Sequence, residues 1–242
     1  MAIETLAPER SGSTPAAGPI VATWVGRLDY REALALQKRL VAERAAGTSG
    51  DRLLLLEHPP VLTLGRGADP SHVRAAAELL AARGIEVIRV ERGGEVTYHG
   101  PGQLVAYPII DLAARGLLVR PLVRGLETAL IETCAAHGVE AARRDGHPGC
   151  WVDADGSEPR KIGALGLRIE RGISYHGIAL NVTVDLEDFE LIDPCGMPGV
   201  TSTSIAAERG EPGPPTSASV EAAGRIFAYA LAATLGTSLD WD

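Results

Sequence analysis

Polar and apolar residues alternate along this chain in blocks that predict interleaved strands and helices. Val21 to Val25 reads as a strand, and Asp29 stands where an N-cap belongs. A helix then runs through Arg44, with Ala33, Leu36 and Leu40 on one face and Gly47 beyond its end. Leu53 to Glu57 follows as a buried strand that Pro59 and Pro60 must terminate. A second helix is expected over Ser71 to Arg83, closed by Gly84, and Ile85 to Val90 is a strand. Val96 to Ile110 reads as two strand segments around the turn-prone run His99 to Gly102. A third helix spans Arg120 to His137 and ends at Gly138. Cys150 to Asp153, Lys161 to Glu170 and Ser174 to Val184 are strands, with a turn at Asp155 and Gly156, and Arg171 with Gly172 makes the last two a hairpin. Glu211 to Ser219 has the prolines of an exposed loop. Val220, Ala223, Phe227, Ala230 and Leu231 recur at helical spacing in a final helix. Short turns join the central strands, so the expected fold is α+β: a single domain with a mixed, largely antiparallel sheet flanked by helices.

Composition narrows the class. Apolar residues make up 45% of the 242, enough for one full core, and Met1 to Pro19 lacks any apolar period and reads as a flexible tail ahead of a domain over residues 20–242. The run Leu53 to Leu56 is far too short to cross a bilayer and the first 20 residues lack the apolar centre of an export signal, so a cytoplasmic protein with no membrane partner is expected. A net charge of -8 argues against nucleic acid as a partner. Arg143, Arg144 and Arg160 remain candidates for a local docking patch. Three cysteines without export argue against a disulfide framework.

Two segments carry candidate chemistry. Arg92 to Gln103 packs four glycines and a proline among polar groups, a composition that lets backbone approach a ligand, with a structural turn as the alternative. Cys195 lies among prolines and glycines from Asp193 to Gly199, which keeps its thiol off any helix face. Cys134 falls inside an amphipathic helix pattern and Cys150 lies beside Trp151 in a strand, so both read as packed core residues. The cysteines and histidines show no metal-ligand spacing, and no metal site is expected.

The runs Arg92 to Pro108, Arg160 to Gly166, His176 to Val182 and Pro194 to Gly196 resemble, in that order, the motifs of the lipoyl(octanoyl) transferases. The resemblance covers about Val21 to Ile205. It implies a fold like the catalytic domain of biotin and lipoate protein ligases. It also implies transfer of an octanoyl or lipoyl group from acyl carrier protein, through a cysteine thioester, to a lysine of lipoyl-accepting domains in lipoate biosynthesis. The acceptors would be lipoyl domains of 2-oxoacid dehydrogenase E2 subunits and the glycine cleavage H protein, with no cofactor and a monomeric enzyme. Cys195 matches the nucleophile and Lys161 its partner. Arg92, Gly93, Gly94, Glu95, Val96, Thr97, Tyr98 and His99, then Ala164, Leu165 and Gly166, then Gly177, Ile178 and Ala179 match the segments that line the substrate pocket.

Those residue types suit the reaction. A thiol with a pKa of about 8.5 is only slightly ionised at neutral pH, and a neighbouring ammonium raises the thiolate fraction. The same amine can protonate a leaving thiol and later take a proton from an incoming lysine. Backbone N–H groups of Cys195 and Gly196, or the side chain of His99, are alternatives for stabilising the oxyanion. His176 and Tyr98 either shape the pocket or are ordinary packed residues. Three rival functions stay open at this point: an ATP-dependent lipoate or biotin ligase, a non-catalytic module that binds lipoyl domains or carrier protein, and a thioesterase.

Overall fold

The computed structural model describes residues 18–196, 199–211 and 217–242, without the side chains of Cys195, Ser217 and Ala218. The tail expected over Met1 to Pro19 therefore lies, for residues 1–17, outside the described residues, as does the loop expected after Glu211 for residues 212–216.

The chain opens with β1 (Ile20–Arg27) and α1 (Tyr30–Ala45). Asp29 caps α1 as its spacing predicts, its carboxylate accepting from the N–H groups of Arg31 and Glu32. Next come β2 (Arg52–Glu57), β3 (Val61–Leu64), the short α2 (Ala77–Ala82), β4 (Glu86–Arg89), β5 (Val96–His99), β6 (Gln103–Ile109) and α3 (Val119–Ala136). The second half holds β7 (Ala142–Arg144), β8 (His147–Val152), β9 (Arg160–Glu170), β10 (Ile173–Asn181), β11 (Thr201–Ser202), α4 (Ile205–Glu208), α5 (Ser217–Thr234) and β12 (Leu239–Trp241).

The main sheet runs β12-β1-β2-β6-β10-β9-β8-β7, with β11 added beside the start of β9. β1 is parallel to β2 and to β12, whereas β2, β6, β10, β9, β8 and β7 pair antiparallel in succession, so the mixed, largely antiparallel expectation holds. The hairpin between β9 and β10 turns at Arg171 and Gly172, with φ of 52° and 79°, the paired positive angles that match a two-residue hairpin to the twist of its strands. A second sheet of order β4-β3-β5 stands apart. β5 and β6 thus flank the His99 to Gly102 turn but belong to different sheets, so this turn carries the chain from one sheet to the other.

One face of the main sheet buries Leu104, Ile162, Ile178 and Leu180 with Leu126 and Leu130 of α3 and Phe227 and Leu231 of α5. α1 covers part of the other face through Ala33 and Val41. The small sheet has its own cluster, in which Leu62, Val96 and Tyr98 meet Leu80 and Phe189.

The helix expected over Ser71 to Arg83 is shorter than its pattern suggests. Residues 70–72 form one 3-10 turn, Val73 bridges to Ile192, and the N–H groups of Arg74 and Ala75 both donate to the Leu191 carbonyl. Tertiary pairing with the chain at residues 191–193 takes the backbone groups that a longer helix would have used, and only Ala77–Ala82 stays helical. Three short strands, β7, β11 and β12, gave no periodic signal because three residues or fewer define no period.

Candidate active site

A cavity of about 470 Å³ lies against β9 and β10, walled by the Arg92–Thr97 segment. Its apolar lining includes Leu165, Leu167, Ile178, Val119 and Val123. Of the residues expected in the pocket, Arg92, Gly93, Gly94, Glu95, Val96, Thr97, His99, Ala164, Leu165, Gly166, Gly177, Ile178 and Ala179 all line it, and so does Lys161. Tyr98 does not. Along β5 successive side chains point to opposite faces, so Thr97 and His99 face the cavity, while Tyr98 packs edge-on against Phe189 at 5.4 Å in the small sheet's core. Sequence reasoning also missed Tyr30, Tyr107, Val119, Val123, Gly146, His147, Pro148 and Leu167. Tyr107 stood within the recognised run, but nothing local marked Tyr30 or the two valines.

Glycine makes the wall possible. A Cβ on Gly65 would fall 2.1 Å from the Gly94 carbonyl oxygen, and one on Gly166 2.8 Å from the Gly93 oxygen, so Gly93 and Gly94 lie directly on neighbouring backbone. The Gly93 N–H donates to the Leu167 carbonyl at 3.0 Å. The Arg92 guanidinium donates to the Thr63 hydroxyl and carbonyl and to the Gly93 carbonyl, at 2.7 to 3.2 Å. The arginine is 7% exposed and clamps β3 to the wall.

The far end of the cavity is polar: Tyr30, His99, Tyr107 and His176 line it beside the Arg92 guanidinium, and His58 stands behind Tyr107. His58 donates from Nδ1 to the Leu28 carbonyl at 2.7 Å, which leaves Nε2 to accept from the Tyr107 hydroxyl at 2.8 Å. Burial pushes His58 down to about 4, Tyr30 up to about 12, and His99 well below its ordinary range. His176 sits in β10 with a left-handed φ of 53°, 1% exposed, its N–H held by Gln37 of α1. Its ring stacks on Tyr175 and lines the cavity, neither ring nitrogen has a hydrogen-bond partner among the described residues, and desolvation lowers its pKa to about 4. The imidazoles are held neutral at pH 7, and the buried Arg92 cation at this end is taken up by Thr63 and the Gly93 carbonyl.

Lys161 marks the other end. β9 begins beside β11 at Arg160 and Lys161 and joins β10 only from Gly163 onward; Lys161 also pairs with Trp151 of β8. Its Nζ donates to the Pro148 carbonyl at 3.2 Å and stands 5.0 Å from the centre of the Trp151 indole. The turn at Pro194–Gly196 lies at the same rim. Pro194 and Lys161 line a common cleft of about 20 Å³, and the Gly196 α-carbon rests on His72 and Glu95, where a Cβ would come within about 3 Å of either side chain. Glu95 in turn holds His72 Nδ1 at 3.2 Å. The Asp193 N–H donates to the His72 carbonyl. Cys195 lies in the chain between Pro194, which shares a cleft with Lys161, and Gly196, which rests on Glu95; its side chain is outside the described residues. Cys134 and Cys150 are fully buried in the main core, and the hydrogen bond with Cys134, together with burial, raises the Cys150 thiol far above its ordinary range, as befits packing residues.

A buried polar chain joins wall to rim. His99 Nδ1 donates to Gln103 at 2.7 Å; Gln103 donates to Asn181 at 2.9 Å; Asn181 donates to the Thr203 carbonyl at 2.8 Å. The Thr203 N–H closes the circuit on the Lys161 carbonyl at 2.9 Å. Gln103 and Asn181 both lie in recognised runs, so a signal for them existed.

A glycine-walled, largely apolar cavity with polar rings at one end and a lysine at the other defines a domain suited to holding a flexible acyl arm. The lipoyl protein ligase A/B catalytic domain matches residues 29–223, and the chain belongs to that family. It is 52% identical over 192 residues to an octanoyltransferase of Acidobacterium capsulatum, covering 76% of this chain and 78% of the relative. It is 48% identical over 191 residues to the octanoyltransferase of Chloroflexus aggregans, covering 78% and 85%. Among solved structures, a bipartite lipoate protein ligase from Thermoplasma acidophilum superimposes with a TM-score of 0.61 at 14% identity, over 94% of this chain and 87% of that one. A biotin protein ligase of Aquifex aeolicus gives 0.53 at 10% identity, over 89% and 70%. At such identities these two show a common fold.

Proposed function

We infer that the chain is an acyltransferase of the lipoate pathway that moves an octanoyl or lipoyl group from acyl carrier protein, through a thioester on Cys195, to a lysine of lipoyl-accepting domains. The observation that supports this reading is that Lys161 lines the apolar, glycine-walled cavity and shares with Pro194 a small cleft that adjoins it. The names of the curated relatives point the same way.

The Cys195 thiolate attacks the carbonyl carbon of the incoming thioester. The carrier's C–S bond breaks, and Lys161 gives the departing sulfur its proton. The octanoyl chain then occupies the channel between the Arg92–Thr97 wall and the strands at Ala164–Gly166 and Gly177–Ala179. In the second half-reaction the acceptor amine attacks the Cys195 thioester, Lys161 takes the amine's proton, and the thiolate leaves. The exchange of one thioester for another is nearly energy-neutral and the final amide lies downhill, so no nucleotide is consumed. The acceptors in this reading are the lipoyl domains of 2-oxoacid dehydrogenase E2 subunits and the glycine cleavage H protein. The catalytic domain spans residues 20–242 and acts as a cytoplasmic monomer. Among the described residues, no helix is long and apolar enough to cross a membrane.

Intact-mass analysis tests the scheme. Incubation with octanoyl carrier protein in the absence of ATP is expected to add one octanoyl group that hydroxylamine removes and that Cys195→Ala does not acquire. An adduct that survives in Cys195→Ala, or one that forms only with ATP, overturns the thioester route.

A further inference from the structure

Beside the mouth of the cavity lies an open groove of about 610 Å³ whose walls include Arg144, His147, Trp151, Ser157, Arg160 and Thr201. His147 lines the groove and the cavity alike, so the two are continuous. Three arginines near this edge of the sheet could serve an acidic partner, and the structure separates them. Arg143 is held by the Glu127 carboxylate at 3.0 Å and by the Arg124 carbonyl. Arg160 makes a two-pronged pair with Glu208 at 2.8 and 3.0 Å and also donates to the Glu158 carbonyl. Arg144 has neither: among the described residues its guanidinium makes no ion pair or hydrogen bond, and it lies over the Trp151 indole at 5.3 Å from the ring centre. The Trp151 Nε1–H is fixed on the His147 carbonyl at 3.0 Å, so the platform beneath the cation is itself anchored.

The same indole carries Lys161 at 5.0 Å, which places the Arg144 and Lys161 cations no more than about 10 Å apart. That separation selects the partner. A lysine side chain extends roughly 6 Å from its Cα, and the next residue's Cα lies about 3.8 Å further on, so the neighbour of an acceptor lysine reaching Lys161 comes within range of Arg144. A carrier that delivers its acyl group on a longer thioester arm keeps its own surface beyond that range. We propose that Arg144, on its Trp151 platform, binds a carboxylate flanking the modified lysine of the acceptor protein, and so selects acceptors by charge. The proposal rests on the acyl-transfer reading for the identity of the acceptor, but it concerns binding and is tested without turnover.

The test is the equilibrium binding of an acceptor domain and of octanoyl carrier protein to the full-length protein and to Arg144→Glu and Arg144→Gln. Acceptor Kd is expected to rise about tenfold in Arg144→Glu and by less in Arg144→Gln, with a weaker salt dependence in both, while carrier Kd moves less than twofold. An acceptor whose flanking carboxylate is replaced by lysine is expected to bind Arg144→Glu more tightly than it binds the unaltered protein. Unchanged acceptor Kd in both variants, or a loss confined to the carrier, overturns the proposal. Failure of the thioester route would appear in the intact-mass experiment and leave these constants untouched.

Discussion

The Arg92–His99 wall of the cavity and the described residues 193–196 and 199–203 on its rim are anchored by different means. The wall lies on neighbouring backbone with no room for a side chain at Gly65 or Gly166, and a buried arginine ties it to β3. The rim is held from outside: backbone bonds join residues 191–193 to residues 72–75, the His72 ring rests on Gly196, and Thr203 bonds to Lys161. One region derives its shape from close packing, which tolerates almost no added volume. The other derives it from a few polar contacts, each worth about 1 kcal/mol. A binding surface that must match an apolar chain is built the first way, and a turn that carries the proposed nucleophile is built the second.

The sharpest way to break that contrast is to add one methyl group to the wall. Gly65→Ala puts a carbon 2.1 Å from the Gly94 oxygen and is expected to cost about 3 kcal/mol or more in denaturant unfolding, with acyl-enzyme formation lost. Near-normal stability would mean that the wall yields as readily as the rim.

Acid should act next on the buried imidazoles in and behind the cavity. His58 and His176 have folded pKa values of about 4, below the 6.5 of an exposed imidazole, so the unfolded chain binds protons that the folded chain refuses. Their contribution is complete above pH 6.5 and is lost as the pH falls toward 4, by up to roughly 3 kcal/mol for each ring. Unfolding free energies measured between pH 7 and pH 4 should fall steeply, and His176→Phe should flatten part of the slope. A slope unaffected by that substitution would show that His176 titrates normally.

The smallest effect is expected on the rim. His72→Ala removes the ring beneath Gly196 and its bond to Glu95, which should change stability by no more than about 1 kcal/mol while slowing acyl-enzyme formation several-fold. Equal losses of stability in His72→Ala and Gly65→Ala would erase the distinction between the two regions.

Much of this was legible in the chain. The periods of α1, α3 and α5, the caps at Asp29, Gly47 and Gly138, and the hairpin at Arg171 and Gly172 are local events, decided within a few residues by side-chain periodicity and permitted φ. So was most of the cavity lining, because glycines that admit backbone contact and the polar residues among them form continuous runs. The assignment of β5 and β6 to separate sheets, the shortening of α2, the turning of Tyr98 toward Phe189 and the arrival of Tyr30 and Val119 at the cavity came only with the tertiary structure. So did the separation of Arg144 from Arg143 and Arg160, since an arginine's charge is written in the sequence but its neutralisation by Glu127 or Glu208 is a matter of what folding brings within 3 Å. Local preference is set by neighbours in the chain, whereas partnership is set by neighbours in space, and a single sequence specifies the second only through the fold it adopts.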